Sequence, residues 1–364
     1  MRTSPSRPAR LSLLRAVLAA LVLPTLVVGC GSTSAGLRAY DRHDYDAAVS
    51  IWRPLASDGD VEAQFYLGTM YEEGRGVERD EIEAYEWYLR AASGGHVDAQ
   101  TNLGILYYRG TGVLQSYEKA YEWFSRAARA GCPEAQSNLA VLYLKGHGVE
   151  EDMERSRHWF AQAAESDVAL AQRILGQMLE EGMGGAVDEA AAAAWLERAA
   201  ATGDPEAQTR FGLMLLEGRG VDRDEGAAAR WFERAAEEGS ADAQFLLGWM
   251  YHTGRGVEQD DRAALTWLAA AAGRGGALAQ TGMALACLRR STERFDESSV
   301  EAAQWMRLAA DQGLAVAQYD LGLMYVRGQG VVRSRSEGIR WIKRAAAQGH
   351  PEALAKLDVL GERL

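Results

Sequence analysis

The sequence predicts an all-α fold of eight helix-turn-helix repeats of about 36 residues, and three observations support this prediction. The dipeptide Ala-Gln recurs eight times, at Ala63, Ala99, Ala135, Ala171, Ala207, Ala243, Ala279 and Ala317. Eight tryptophans keep the same register, namely Trp87, Trp123, Trp159, Trp195, Trp231, Trp267, Trp305 and Trp341. Glycine is plentiful at 39 residues and proline is scarce at 7, which favours helices joined by glycine turns.

Each repeat opens with a helix that has one apolar face. In the first copy, Ala63, Leu67 and Tyr71 are spaced by four residues and therefore share a helix face. We expect Gly68 to let a neighbouring helix approach closely. The helix is predicted to end at Gly74, because glycine adopts the left-handed conformation without a steric penalty.

The second helix of each repeat is predicted to begin at an N-cap seven residues before the tryptophan. In the first copy this cap is Asp80, and the helix stops near Gly95. The other caps are Ser116, Asp152, Asp188, Asp224, Asp260 and Ser334, with Ser298 expected in the seventh copy. Because burial of one tryptophan removes about 150–250 Å² from water, we predict that the phased tryptophans form the core.

The glycine loop between the two helices looks at first like a phosphate-binding loop. Gly-Arg-Gly-Val begins at Gly74, Gly218 and Gly254, and related loops begin at Gly110, Gly146 and Gly328. A nucleotide-binding loop follows a strand and occurs once in a domain. This loop follows a helix and recurs, so we interpret it as a turn between helices.

The motif Ala-x-x-x-Leu-Gly-x-x-Tyr-x-x-Gly-x-Gly-Val, followed by Asp, Ala-x-x-Trp and Ala-Ala, resembles the Sel-one-like repeat (SLR) family, a relative of the tetratricopeptide repeat. The resemblance extends from residue 63 to about residue 350. It implies a right-handed superhelical α-solenoid of stacked hairpins that binds proteins or peptides and has no catalytic activity. The seventh copy lacks the glycine loop, and we expect a local change of superhelix pitch near residues 288–300.

Both ends of the chain depart from the repeat. Residues 1–29 contain four arginines, no acidic residue and an apolar run of 13, too short to span a bilayer. The run ends in Val-Val-Gly before Cys30, which resembles the lipobox of bacterial lipoproteins. The resemblance implies a lipoprotein signal peptide and lipidation at Cys30, with an ordinary cleavable signal as the alternative. Residues 30–62 then form the lipidated N-terminus and a capping half-repeat, residues 63–350 the eight repeats, and residues 351–364 a C-terminal capping helix.

The composition argues against several functional classes. A net charge of −12 without a basic stripe argues against nucleic-acid binding. None of the six histidines falls in a metal-binding spacing. Ser116 to Lys119 matches the Ser-x-x-Lys of penicillin-binding enzymes, but Ser116 is a predicted helix cap and the companion motifs are missing. We therefore expect no catalytic residue, metal, cofactor or small-molecule substrate, and keep a β-lactam-binding enzyme only as a distant alternative.

A partner-binding groove is predicted from the related tetratricopeptide geometry, in which first helices line a concave surface. Residues two, six and nine positions after the repeat alanine face it, such as Phe65, Thr69 and Glu72 in the first copy. We predict that partners contact Leu213, Phe245, Trp249, His252, Leu285, Tyr319 and Leu323. Trp249 is the most informative, because it lies outside the phased set and tryptophan is frequent in binding hot spots.

Two other interpretations of this surface remain. Trp249 could simply pack between first helices, and the acidic residues Glu72, Glu73, Glu180 and Glu181 could instead attract cationic partners. We expect a scaffold of the bacterial cell envelope, held by an N-terminal lipid anchor at the outer membrane and facing the periplasm. Its expected partners are envelope proteins or peptides. The alternative is a secreted or surface factor that engages an external or host ligand.

Overall fold

The computed structural model describes residues 33–291 and 293–362, and within these ranges all regular secondary structure is helical. The predicted signal peptide and Cys30 lie outside the described residues. Two helices precede the repeats, α1 (Ser34–Asp41) and α2 (Tyr45–Ser57). They form a hairpin, and the buried ring of Trp52 in α2 stacks on Tyr66 of the first repeat with centroids 4.8 Å apart.

Eight helical hairpins follow, one for each predicted repeat. The first helices are α3 (Val61–Glu73), α5 (Val97–Arg109), α7 (Pro133–Lys145), α9 (Ala169–Glu181), α11 (Pro205–Glu217), α13 (Ala241–Thr253), α15 (Ala277–Arg290) and α17 (Ala315–Arg327). The second helices are α4 (Glu81–Ser93), α6 (Tyr117–Arg129), α8 (Met153–Glu165), α10 (Glu189–Ala201), α12 (Glu225–Glu237), α14 (Asp261–Ala272), α16 (Glu297–Asp311) and α18 (Arg335–Ala347). A last helix, α19 (Pro351–Leu360), packs on α18.

Contacts group the chain into two units, one through Ala199 and one from Ala200 onwards. In the first unit, a core of buried side chains extends from Tyr40 to Tyr143. In the second unit, a buried cluster extends from Leu268 to Trp341. Within each unit, consecutive helices along the chain pack against each other, as expected for helical hairpins.

The predicted N-caps are confirmed in seven copies. The Asp80 carboxylate, for example, accepts hydrogen bonds from the backbone N–H groups of Ile82 and Glu83 at 2.9 and 3.1 Å. The prediction for the seventh copy is wrong, because Asp296 rather than Ser298 caps α16. Asp296 and Ser299 form a reciprocal capping box, which satisfies two backbone N–H groups at once and starts the helix earlier.

The two loop glycines have different physical roles. Gly74 caps α3 in the left-handed conformation, with φ of +68°, as predicted. Gly76 also has positive φ, and a Cβ atom there would lie 2.5 Å from the backbone oxygen of Tyr45. The loop therefore packs directly on the start of the preceding second helix. This arrangement recurs at Gly112, Gly148, Gly184, Gly256 and Gly330.

The glutamine of the Ala-Gln pair satisfies the end of the preceding second helix. The Gln64 side-chain amide donates to the backbone oxygen of Ala56 at 3.0 Å, across the turn between α2 and α3. The same bond is made by Gln100, Gln136, Gln172, Gln208, Gln244 and Gln318. Since the last carbonyls of a helix lack internal partners, this bond explains why glutamine accompanies the alanine.

The prediction that all phased tryptophans are core residues needs correction. Trp87 and Trp341 are buried, but the other six are only half-buried. The fully buried position is the next residue in every copy, occupied by Tyr88, Phe124, Phe160, Leu196, Phe232, Leu268, Met306 and Ile342. One step along a helix rotates a side chain by about 100°, so these two positions cannot both point to the centre of the hairpin.

Candidate partner-binding groove

The seven predicted groove residues all lie on first helices of the second unit. Leu213 is on α11, Leu285 is on α15, and the others are on α13 and α17. Spacings of three and four residues place them on the same face of their respective helices. We call this side of α13, α15 and α17 the groove face.

Trp249 is the exposed aromatic residue of the groove face. It is 36% exposed, the largest side chain among the exposed apolar residues of the described chain. Its ring contacts that of His252, with centroids 5.3 Å apart and planes tilted by 39°. Packing within the fold therefore leaves about a third of the Trp249 surface open to a partner.

His252, in contact with Trp249, is held in its uncharged form. Burial and the positive charge of Arg289 lower the pKa of His252, although Asp261 opposes the shift. The imidazole is therefore neutral at physiological pH. Arg289 Nη1 donates to the backbone oxygen of His252, which joins the ends of α13 and α15.

The other predicted residues divide into two groups. Leu213, Phe245 and Leu285 are half-buried. A Cβ atom on Gly282 of α15 would lie 3.1 Å from the Phe245 ring, so that ring already bridges α13 and α15. It thus combines a packing role with a partly open surface.

Tyr319 and Leu323 of α17 are also half-buried, but the C-terminal helix covers part of this region. The Tyr319 ring stacks on His350, the cap of α19, with centroids 5.1 Å apart. Both α17 residues pack against a buried cluster that contains Leu357 of α19. They are less accessible to a partner than Trp249 is.

Two apolar residues of the groove face were missed from the sequence. Leu278 of α15 is 61% exposed and Val316 of α17 is 45% exposed. Each immediately precedes the repeat alanine, where the first-turn residue of most copies is acidic. They lie three residues before a predicted groove position and therefore on the same helix face. The loss of the acidic residue in these copies was the signal that could have identified them.

In the first copy, the same register does not produce an open surface. Phe65 and Thr69, predicted to face it, are buried. The Tyr88 hydroxyl donates to Glu72 at 2.6 Å, and the Thr69 hydroxyl lies within hydrogen-bond distance of the same Tyr88 oxygen at 3.1 Å. Glu73 accepts from Tyr40 at 3.2 Å and pairs with a nearby arginine. These two carboxylates serve the internal packing of the first unit, which weakens the acidic-entrance alternative.

The apparent Ser-x-x-Lys motif has no catalytic geometry. Ser116 caps α6 by accepting from the backbone N–H of Lys119 at 3.2 Å. The Lys119 ammonium instead lies over the ring of Tyr107, 5.0 Å from its centroid.

Over residues 33–291 and 293–362, no cluster of three metal-ligating side chains was found. None of the helices in these ranges is long and apolar enough to cross a bilayer. Cys132 and Cys287 are buried, and neither forms a disulfide.

Repeated hairpins with a shared register, glycine loop and glutamine bond define a helical-repeat protein of the α-solenoid class. The chain belongs to the Sel1 repeat family, whose model matches eight consecutive segments, residues 61–96, 97–132, 133–168, 169–204, 205–240, 241–276, 277–314 and 315–350. The predicted family and fold class are thereby confirmed. Proteins of this family generally act as protein-interaction scaffolds without catalysis.

Two solved structures are similar over most of the chain. A Sel1 repeat protein from Oxalobacter formigenes is 33% identical, with a TM-score of 0.60, covering 96% of this chain and 99% of that one. A protective antigen present in uropathogenic Escherichia coli strains, which has an SLR fold, is 27% identical with a TM-score of 0.66. That match covers 96% of this chain and 81% of the antigen.

Similarity to curated proteins is local. Chitin synthase regulatory factor 3 of Schizosaccharomyces pombe is 38% identical over 80 residues, 22% of this chain and 9% of that protein. The chitin synthase regulator SKT5 of Saccharomyces cerevisiae is 32% identical over 80 residues, 22% of this chain and 12% of that protein. The matched segment thus spans about a tenth of the length of these relatives, so the likeness concerns the repeat.

Proposed function

We propose that this protein is a non-catalytic scaffold of the bacterial cell envelope that binds partner proteins or peptides on its groove face. The observation that carries the proposal is the open Trp249 surface, with Leu278 and Val316 also exposed on the first helices of the next two repeats. Tryptophan in apolar surroundings is the typical centre of a binding hot spot. The partner expected there is an apolar segment, which would bury these side chains.

Envelope localisation is supported by the chain's first thirty residues. Together, the arginines, the apolar run and Cys30 resemble the signal sequence of an exported lipoprotein. A lipid on Cys30 would anchor the repeats to a membrane without a membrane-spanning helix. The outer membrane is the proposed site, with the repeats facing the periplasm.

A second candidate is a secreted or surface factor that engages an external or host ligand. The similarity to a protective antigen of uropathogenic strains favours it, because an antigen must be accessible to antibodies. In that case, the same groove face would bind a ligand outside the cell. A β-lactam-binding enzyme is the least supported candidate, since Ser116 and Lys119 have structural roles.

Partner capture from an envelope extract tests the groove. The full-length chain is compared with Trp249→Glu, after circular dichroism has shown that both are folded. Leu114→Glu is the matched control, because Leu114 is an exposed apolar residue in a loop of the first unit. We expect the wild type and Leu114→Glu to retain a partner that Trp249→Glu loses. Equal retention by all three proteins would move the binding site away from the groove face.

Metabolic labelling with an alkyne-bearing fatty acid tests the anchor. The wild type should incorporate the label and fractionate with the outer membrane, whereas Cys30→Ser should not be labelled. Cys132→Ser is the matched control, because that thiol is buried in the fold and should not affect labelling. An unlabelled wild-type protein recovered in the culture medium would favour the secreted factor.

A further inference from the structure

A cavity lined by three arginines lies near the loop that joins α17 and α18. Its volume is about 430 Å³, and Arg294, Val326, Arg327, Gln329 and Arg333 line it. Arg294 belongs to the irregular loop of the seventh copy, and its backbone oxygen accepts from the N–H of Gly330 at 2.8 Å. The departure of the seventh copy from the repeat pattern therefore contributes one wall of this arginine cavity.

Equivalent arginines in other repeats are neutralised. In the first copy, Arg79 pairs with Glu81 at 2.9 Å, and in the fifth, Arg223 pairs with Glu225. The equivalent arginine of the eighth copy is Arg333, but the residue two positions later is Arg335. The ion pair of the sibling loops is thus replaced by two like charges.

The remaining acidic positions of the loop are also replaced. Val332 stands where the first copy has Glu78, and Ser334 stands where it has Asp80. Residues 327–350 contain six arginines and lysines but a single acidic residue, in a chain of net charge −12. Among the described residues, no carboxylate lies within ion-pair distance of Arg294, Arg327 or Arg333.

The guanidinium groups retain most of their hydrogen-bonding capacity. Arg333 donates through Nε to the backbone oxygen of Val326 at 3.2 Å, which leaves its other N–H groups for a ligand. Arg327 also attracts the carboxylate of Asp320. Burial and the negative charge of Glu352 raise the pKa of Asp320, whereas the positive charges of His350 and Arg327 lower it.

Arginine binds carboxylates with two parallel hydrogen bonds, so several arginines around one cavity suit clustered carboxylates. The cavity is flanked in sequence by exposed apolar residues, since Phe295 is 59% exposed and Val332 is 81% exposed. We propose that the arginine cavity binds a segment of a partner protein in which clustered aspartates or glutamates adjoin an apolar residue. This site is separate from the groove face and does not depend on it.

A peptide is a better occupant than an anionic membrane. A membrane surface would meet the whole molecule, whose net charge of −12 repels anionic headgroups. A short peptide responds mainly to local charges, because the Debye length is about 8 Å at physiological ionic strength. The charged side chains that line the arginine cavity are all positive.

Fluorescence anisotropy with a defined probe tests the proposal. The probe is a fluorescein-labelled peptide of five glutamates and one phenylalanine, and its control has glutamine in place of every glutamate. The full-length chain should bind the glutamate peptide at least about 10-fold more tightly at low salt. Arg327→Gln/Arg333→Gln should weaken the binding by about 10-fold or more.

The matched control is Arg79→Gln/Arg223→Gln, which removes the same charge from loops where the arginines are already paired. It should bind within about twofold of wild type, as should Trp249→Glu, since neither change touches the arginine cavity. Hydrogen exchange provides a readout that needs no variant, with protection expected at residues 327–335 when the peptide binds.

Several results would overturn the proposal. These are no preference for the glutamate peptide, equal weakening by the two double variants, or no change in exchange at residues 327–335. Tighter binding to vesicles of phosphatidylglycerol and phosphatidylcholine than to the peptide would assign the cavity to a membrane instead. Because Trp249→Glu tests the groove face separately, failure of one site leaves the other intact.

Discussion

At the scale of the residue, the side chain that follows each phased tryptophan occupies the centre of its hairpin. Phe124 is fully buried, and a Cβ atom on Gly104 would lie 2.6 Å from its ring. The neighbouring Trp123 is half-buried and covered by Arg126, whose guanidinium lies 4.5 Å from the ring centroid. The same arginine-on-tryptophan contact occurs at Trp87, Trp195, Trp231 and Trp341.

This difference predicts that Phe124→Ala is more destabilising than Trp123→Ala. The first change removes a fully buried ring and should cost about 3–5 kcal/mol of unfolding free energy. The second removes a half-buried ring together with its arginine contact, and should cost about 1–3 kcal/mol. Urea denaturation followed by circular dichroism measures both, and the reverse order would contradict the assignment of the core.

His96 predicts a dependence of stability on pH. It caps α5 through Nδ1 and stacks on Phe65, and burial lowers its pKa to about 4. The unfolded chain binds a proton near pH 6.5, before the folded chain does, so stability is lost as pH falls from about 6.5 towards 4. Because His96 is partly exposed and solvent screens its charge, we expect the unfolding free energy to fall by only about 1–2 kcal/mol.

His96→Asn should remove this contribution, since asparagine caps a helix without titrating. Its unfolding free energy should fall about 1–2 kcal/mol less than that of the wild type between pH 7 and pH 4. Parallel stability curves for the two proteins would assign the pH dependence to other groups. His43→Asn is the control, because His43 lies in the turn between α1 and α2 and is exposed.

At the scale of the element, the glycine loop joins consecutive repeats as well as reversing the chain. The second loop glycine packs on the backbone at the start of the preceding second helix. Gly95, the glycine that follows α4, has φ of +94° but no neighbouring atom within 4 Å of its Cβ position. Both glycines need positive φ, but only the loop glycine also needs the absence of a side chain.

Two alanine substitutions separate these requirements. Gly95→Ala adds only backbone strain and should cost about 1 kcal/mol. Gly76→Ala adds similar strain and a clash with the backbone of Tyr45, and should cost about 2–4 kcal/mol. Thermal or urea unfolding of the two variants gives the comparison. Equal costs would mean that the contact between the loop and α2 contributes little.

At the scale of the whole molecule, the ends of the repeat array are covered by helices that are not themselves full repeats. The α1–α2 hairpin buries Trp52 against the first repeat, and α19 buries Leu357 against the last. In an array where each repeat contacts mainly its neighbours, the loss of an end helix has a local effect.

Deletion of residues 351–364 should therefore destabilise the last repeat selectively. Removing α19 exposes Ile342 and uncovers Tyr319, so amide protection should fall in α17 and α18. Protection in α3 and α4, in the other unit, should stay unchanged. Hydrogen exchange resolved by segment makes this measurement, and a uniform loss of protection along the chain would contradict the local model of stability.

Much of the fold could be predicted because its signals act over short distances. Asp80 caps α4 and Gly74 ends α3 through contacts within about four residues, and such contacts are visible as local sequence patterns. The seventh copy was the exception. There, Asp296 precedes α16 and forms a capping box with Ser299, whereas Ser298 is the second residue of the helix.

The candidate sites could be predicted only in part. Trp249 was identified because it breaks the repeat pattern, whereas Leu278 and Val316 were missed among positions that vary between copies. The arginine cavity was also missed, because its walls come from two loops more than thirty residues apart.

The sequence by itself determined the family, the helical repeat, its turns and seven of its second-helix caps, because each depends on residues close together in the chain. The tertiary structure alone decided which equivalent positions are open. Thr69 and Trp249 occupy the same place in their repeats, yet Thr69 is buried and Trp249 is exposed. The physical reason is that solvent access depends on the size and packing of side chains from neighbouring helices, which the register of one helix does not specify.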